Sequence, residues 1–179
     1  LVLYLFSLKI GEVRGDLDNK KYKKLISNLK NLPQLIKETL KEEQKIQFIA
    51  KDIHNSKGSM FLGRGSSYPI AMEGALKLKE LSYLHAEGYP AGEMKHGPLA
   101  LIEDGLPVVV IAPKDKYFEK TLSNMQEVIA RGGKVLLLTN SDGKVISENI
   151  RFQIDLPSSE LSLTPFIFTI PLQLLSYHV

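Results

Sequence analysis

The sequence predicts an open parallel α/β sheet joined by right-handed crossovers. Two continuous apolar runs, PVVVIAP (107–113) and KVLLLTN (134–140), lack any polar alternation, as expected of strands buried on both faces. Two further runs, SMFLG (59–63) and IRFQID (150–155), have strand character. Helical stretches separate these four runs, and that alternation is the mark of a parallel sheet. At 179 residues the chain suits one domain with a sizeable core.

Taken in order, LVLYLFSLKIG reads as the closing turns of a helix ended by Gly11, and GEVRGDLDN as a linker rich in Gly and Asp. Tyr22, Leu25, Ile26, Leu29 and Leu32 follow helical spacing until Pro33 resets the chain. One further helix is expected, with Ile46, Ile49, Ala50 and Ile53 on a shared face. Beyond the first strand, helices are predicted at 67–86, briefly near 98–102, and at 116–131, where Phe118, Leu122, Met125 and Ile129 align. The apolar start is too short to span a bilayer and lacks the basic lead-in of a signal peptide. The chain has no initiator methionine, and PFIFTIPLQLLSYHV stops in helical pattern without a closing residue. Both ends predict that the chain is part of something longer.

Composition narrows the chemistry. The formal net charge is only +3, and the densest basic cluster, Lys20, Lys21, Lys23 and Lys24, reads as a solvated helix face. Neither nucleic acid nor a membrane is an expected partner. With no cysteine there is no disulfide, Cys-type zinc site or thiol nucleophile, which fits a reducing compartment. No H-x-x-H or H-x-x-x-H pair suggests a metal.

Two stretches offer chemistry. The first, FLGRGSSYP, leaves a strand and opens a helix, where unpaired N–H groups and the positive dipole end suit phosphate. Gly63 and Gly65 would allow close backbone approach, and Ser66 and Ser67 would add hydroxyl donors. The plainer alternative makes Ser66 or Ser67 an N-cap. In the second, Glu73, Lys77 and Glu80 fall within an arc of roughly 60° at about 100° per residue, apart from the apolar stripe of Ala71, Ala75 and Leu78. Such pairs are ordinary on helix surfaces. Beside a ligand cleft, however, a carboxylate next to a lysine can be tuned to carry protons. His96, between Lys95 and Gly97-Pro98, is either an acid–base group at a loop–helix junction or a surface turn residue.

The stretch FLGRGSSYPIAMEGALKLKELSYLHAEGYPAGEMKHGPLALI closely resembles the isomerase part of the glutamine–fructose-6-phosphate aminotransferase (isomerizing) family, the glucosamine-6-phosphate synthases. EGALKLKE followed by GEMKHGPLALI is the most specific piece; PVVVIAP, RGGKVLLLTN and the closing PFIFTIPLQLLSYHV support it. The resemblance implies a sugar-isomerase (SIS) subdomain: a five-stranded parallel sheet flanked by helices in a flavodoxin-like three-layer sandwich. It further implies that residues 1–18 close a preceding subdomain and link it to residues 19–179, the second SIS subdomain, cut short at its C-terminus.

The implied reaction makes glucosamine 6-phosphate and glutamate from fructose 6-phosphate and glutamine, in the cytoplasm and without metal or organic cofactor. By position, Glu80 matches the base that moves a proton between C1 and C2, and Glu73 and Lys77 match charged residues supporting it. His96 matches the ring-opening residue, supplied across the interface of a homodimer. The glutaminase domain with its N-terminal cysteine and the first SIS subdomain, which holds the sugar phosphate, are not in this sequence. Nor is the C-terminal tail, with its lysine. The Gly65-Ser66-Ser67 loop corresponds to a place where the family has no main substrate site, and the fragment alone is expected to be inactive. Two other readings stay open: a phosphosugar isomerase or deaminase without the glutaminase, and a non-catalytic SIS module that senses sugar phosphates.

Overall fold

A computed structural model describes residues 1–141 and 150–179. Four helices lead in: α1 (Val2–Val13), α2 (Asn19–Lys30), α3 (Leu32–Leu40) and α4 (Glu43–Ile53). The sheet region follows as β1 (Gly58–Gly63), α5 (Ser67–Ser82), β2 (His85–Pro90), two 3-10 helices at Ala91–His96 and Pro98–Leu101, β3 (Pro107–Ala112), α6 (Phe118–Ala130), β4 (Lys134–Thr139), β5 (Phe152–Asp155), a 3-10 turn and α7 (Thr164–His178).

The five strands are parallel and ordered β2-β1-β3-β4-β5. Alternate residues of β1, β3 and β4 feed two separate cores. Phe61, Val109, Ile111, Leu136, Leu138 and Ile154 pack with the buried faces of α3, α4, α5 and α7. Met60, Leu62, Val108, Val110, Val135 and Leu137 pack with α6 and the 3-10 helix at Ala91–His96. Both faces of β1, β3 and most of β4 are thereby covered, so their uninterrupted apolar runs are what a sandwiched strand requires. The three-layer α/β architecture expected from the sequence is met.

Local chemistry sets several boundaries. Asp18 caps α2 by accepting from the Lys21 N–H at 2.7 Å. Pro33 lies in the first turn of α3, where its missing N–H costs no hydrogen bond. Ile46, Ile49, Ala50 and Ile53 are the buried face of α4, as their spacing indicated.

Three expectations need correction. Gly11 does not end the first helix: α1 continues to Val13, and the left-handed turn falls at Gly15 (φ 76°). Leu17 covers Gly11, donating its N–H to the Gly11 carbonyl at 3.0 Å. The stretch after Pro33 forms two helices, not one, because the chain turns at Lys41-Glu42. The helix expected over 67–86 stops at Ser82, and HAEGYP becomes β2, paired with β1 over six residues. As an edge strand β2 is only half covered, so it lacks the apolar run that betrays β3 and β4.

Candidate functional site

Strand order reverses between β1 and β3, the point at which open α/β sheets hold ligands beyond their carboxyl ends. The glycines of the GRGSS loop have steric duties there. A Cβ at Gly63 would overlap the Ser67 carbonyl oxygen, so this glycine serves the strand-to-helix turn itself. At Gly65 (φ 53°) a Cβ would come within 2.6 Å of the Tyr117 ring, which therefore lies against the loop. Arg64 donates through Nη1 to Asn124 Oδ1 on α6 at 2.9 Å. Ser66 is the N-cap residue but makes no side-chain capping bond, and the buried Ser67 hydroxyl has no hydrogen-bond partner among the described residues. Gly65, Ser66 and Ser67 thus gather at the start of α5.

Helix α5 buries Ser67, Ile70, Ala71, Gly74, Ala75 and Leu78 against the sheet and α7. Its other side carries Glu73, Lys77 and Glu80. The Lys77 ammonium donates to Glu80 Oε2 at 2.5 Å. That hydrogen bond holds the Lys77 pKa above the ordinary lysine value, and the charges of Glu80 and Glu73 add to the effect. One ammonium is thereby coupled to two carboxylates on a single helix face. Glu80 is 51% exposed, so within this chain it faces water and not an enclosed pocket.

His96 stands elsewhere. It ends the 3-10 helix Ala91–His96, whose Ala91 and Met94 pack into the core on the α6 side of the sheet. Lys95 next to it pairs with Glu127 of α6 at 3.2 Å. The His96 side chain is 76% exposed, with Nε2 3.9 Å from Glu93 Oε2. The fold therefore unites Glu73, Lys77 and Glu80 on one face of the sheet and keeps His96 on the other.

One polar row escaped the sequence reading. His85, Glu87 and Tyr89 alternate along β2 and line a cavity of about 240 Å3 with Met60, Leu101 and Leu106. The Tyr89 hydroxyl donates to Glu87, which raises the Tyr89 pKa above the ordinary tyrosine value, with burial adding to the shift. A period of two in H-x-E-x-Y was the available signal, masked by the helical pattern running into it. Among the described residues, no three His, Asp or Glu side chains gather as a metal-holding group, and no helix is long and apolar enough to cross a membrane.

Comparison with known proteins supplies the lineage. The sequence profile described as "SIS domain" matches residues 52–179. The glutamine–fructose-6-phosphate aminotransferase (isomerizing) of Bradyrhizobium diazoefficiens is 48% identical over 99% of this chain, and that of Bartonella quintana 48% over 98%. The chain spans 29% of the length of each. The solved C-terminal domain of glucosamine-fructose-6-phosphate aminotransferase from Francisella tularensis superposes with a TM-score of 0.95 at 45% identity, covering 99% of this chain and 50% of that one. Glucosamine-6-phosphate deaminase from Thermotoga maritima shares the fold, with a TM-score of 0.60 at 23% identity, and 46% of it is covered. A five-stranded parallel sheet in this order, filled by a profile over 128 of the 179 residues (52 to 179), leaves one lineage: the chain belongs to the SIS domain family.

Proposed function

We propose that this chain is the second sugar-isomerase unit of an enzyme that converts fructose 6-phosphate and glutamine to glucosamine 6-phosphate and glutamate. The observation that carries the reading is the coupled Glu73–Lys77–Glu80 stripe on the outward face of α5. Residues 1–18 are assigned to the end of a preceding unit and its linker, and residues 19–179 to this unit. In support, α1 docks here only through its inner face, where Leu8 is buried and the Tyr4 hydroxyl donates to Ser162 Oγ at 3.0 Å. Its outer Val2, Leu3, Phe6 and Val13 are exposed.

The chemistry follows from the residue types. An imidazole has one nitrogen that accepts and one that donates, so His96 can take the proton of the anomeric hydroxyl and return one to the ring oxygen as the C2–O5 bond breaks. Ammonia released from glutamine in a separate glutaminase domain replaces the C2 carbonyl oxygen, water leaves, and an imine results. Glu80 then removes a proton from C1. The C–H electrons form a C1=C2 double bond, and the imine electrons move onto nitrogen, which is protonated. Return of the proton from Glu80 to C2, with loss of the O1 proton, gives the aldehyde and the C2 amine. Lys77 hydrogen-bonds the Glu80 carboxylate and aims it, and Glu73 adds its charge to the field around the ammonium. The Gly65-Ser66-Ser67 loop offers a subsidiary anion contact. The enzyme works as a cytoplasmic homodimer, and the separation of His96 from Glu80 across the sheet is accounted for if His96 serves the partner's site.

Mixing subunits of the full-length enzyme tests this. Glu80→Gln and His96→Ala enzymes each hydrolyse glutamine but form no amino sugar. Random mixing makes half of the dimers hybrid, each with one fully native site, so about a quarter of the parental sugar turnover returns. Parental turnover in Glu80→Gln alone overturns the assigned base; no recovery on mixing overturns the shared site.

A further inference from the structure

The 3-10 helix Ala91–His96 sets its residues in three rows, because positions i and i+3 eclipse at about 3.0 residues per turn. The first row, Ala91 and Met94, is buried in the core on the α6 side of the sheet. The second row, Gly92 and Lys95, is held at both ends from α6. Asn124 accepts from Arg64 at 2.9 Å, and that guanidinium lies against Gly92, where a Cβ would stand 3.1 Å from its Cζ, Nη1 and Nη2. One turn further along α6, Glu127 Oε1 takes the Lys95 ammonium at 3.2 Å. The third row, Glu93 and His96, is exposed. Once two rows of such a rod are fixed, the direction of the third is fixed with them.

A 3-10 helix has poor internal hydrogen bonds, and six residues is long for one, so the segment depends on lateral support. Past His96 that support ends: the chain turns at Gly97 (φ 145°), where a Cβ would meet nothing within 4 Å among the described residues. Every anchor therefore lies on the N-terminal side of the imidazole, and Glu127 holds the last of them. For stability the pair is a weak device. Lys95 is 64% exposed, which screens the attraction, while Glu127 Oε2 is buried without a hydrogen-bond partner among the described residues. We propose that Glu127 is a positioning residue for His96: by holding Lys95 it fixes the rotation of the 3-10 helix that presents the imidazole outward, to the site of a partner subunit. This rests on the reading of His96 as the ring-opening group. Glu127 touches no sugar in this scheme and acts through Lys95 and the backbone between them.

The test extends the subunit-mixing experiment on the full-length enzyme. In each hybrid dimer the Glu80→Gln chain supplies His96 to the one native site, and the His96→Ala chain supplies Glu80. Glu127→Gln placed in the Glu80→Gln chain, together with the working imidazole, is expected to lower the recovered sugar turnover by tenfold or more, since misplacement by about 1 Å can cost about 10². Glu127→Gln placed in the His96→Ala chain disturbs only a site already dead, so recovery stays at the level of the unmodified mixture. A purely structural Glu127 would weaken both mixtures alike, and a Glu127 without influence would weaken neither; either result overturns the proposal. The unmodified mixture separates the two claims. If it recovers nothing, the shared site fails and the proposal falls with it; if it recovers and is indifferent to which chain carries Glu127→Gln, the positioning role alone fails.

Discussion

Gly88→Ala on β2 is a packing change with a predictable catalytic consequence. The added Cβ would stand 2.8 Å from Met72 Cα and 2.9 Å from Met72 N, both backbone atoms of α5. Ordinary contact begins at 3.4 Å, so α5 must back away by 3.4 − 2.8 = 0.6 Å. No flexible side-chain tip is available to give instead. Overpacking of this kind costs about 2–3 kcal/mol, and the gain from removing a strand glycine offsets about 0.5–1, leaving a net loss of about 1–2.5 kcal/mol. For a chain of this length each kcal/mol moves Tm by about 2–4 °C, so a drop of about 2–10 °C is expected. The displaced segment lies one residue before Glu73 and two turns before Glu80. If misplacement by about 1 Å can cost a factor of 10², then on the role proposed for Glu80 a shift of about 0.6 Å costs isomerisation about tenfold while glutamine hydrolysis stays intact. Calorimetry on the chain and sugar turnover in the full-length enzyme measure the two effects. An unchanged Tm would refute the contact argument. A lowered Tm with parental sugar turnover would show that the shift of α5 does not reach the stripe.

Two further outcomes are expected. Glu87→Gln weakens the bond from the Tyr89 hydroxyl by about 0.5–1 kcal/mol near pH 8, allowing for the half-exposed carboxylate. Because the folded pKa of Tyr89 is raised, that stabilisation is complete below the unfolded tyrosine value of 10.0 and disappears as pH rises through the folded one; urea midpoints of parent and variant should converge there, and a pH-independent gap would contradict the pairing. Leu78→Ala, at a fully buried site between α5 and the sheet, should cost about 2–5 kcal/mol in urea with an unchanged m-value. A loss below 1 kcal/mol would mean that α5 is not seated as described.

The sequence disclosed whichever elements bury both faces or one clean stripe. Strands β3 and β4 were visible because each is apolar throughout, and α4 because its four buried residues keep helical spacing. β2 was hidden for the opposite reason. It sits at the sheet edge, its alternating row His85, Glu87 and Tyr89 is polar and follows directly on a helical pattern, and Gly88 stands where α5 presses closest, so no apolar periodicity or β propensity marks it. At the site, the Glu73–Lys77–Glu80 alignment was legible from helical spacing alone, and the structure adds the bond that couples Lys77 to Glu80. The side of the sheet on which His96 falls was not, since it depends on where the chain goes after an edge strand that the sequence did not reveal. Nor was the left-handed turn at Tyr83, where a tyrosine stands in a glycine's place.

These misses share one cause. α5 is held by contacts that leave little trace in a hydrophobic pattern: Gly88 receives its backbone, and a Cβ at Gly74 would meet Phe61 and Leu172 at 2.8–2.9 Å. Small residues on the inner face let the helix lie close to β1, β2 and α7. Precision on the inside is what a proton-transferring carboxylate on the outside needs, because the base must reach two adjacent carbons from one position. On the role proposed for Glu80, the close packing beneath α5 is what aims its carboxylate.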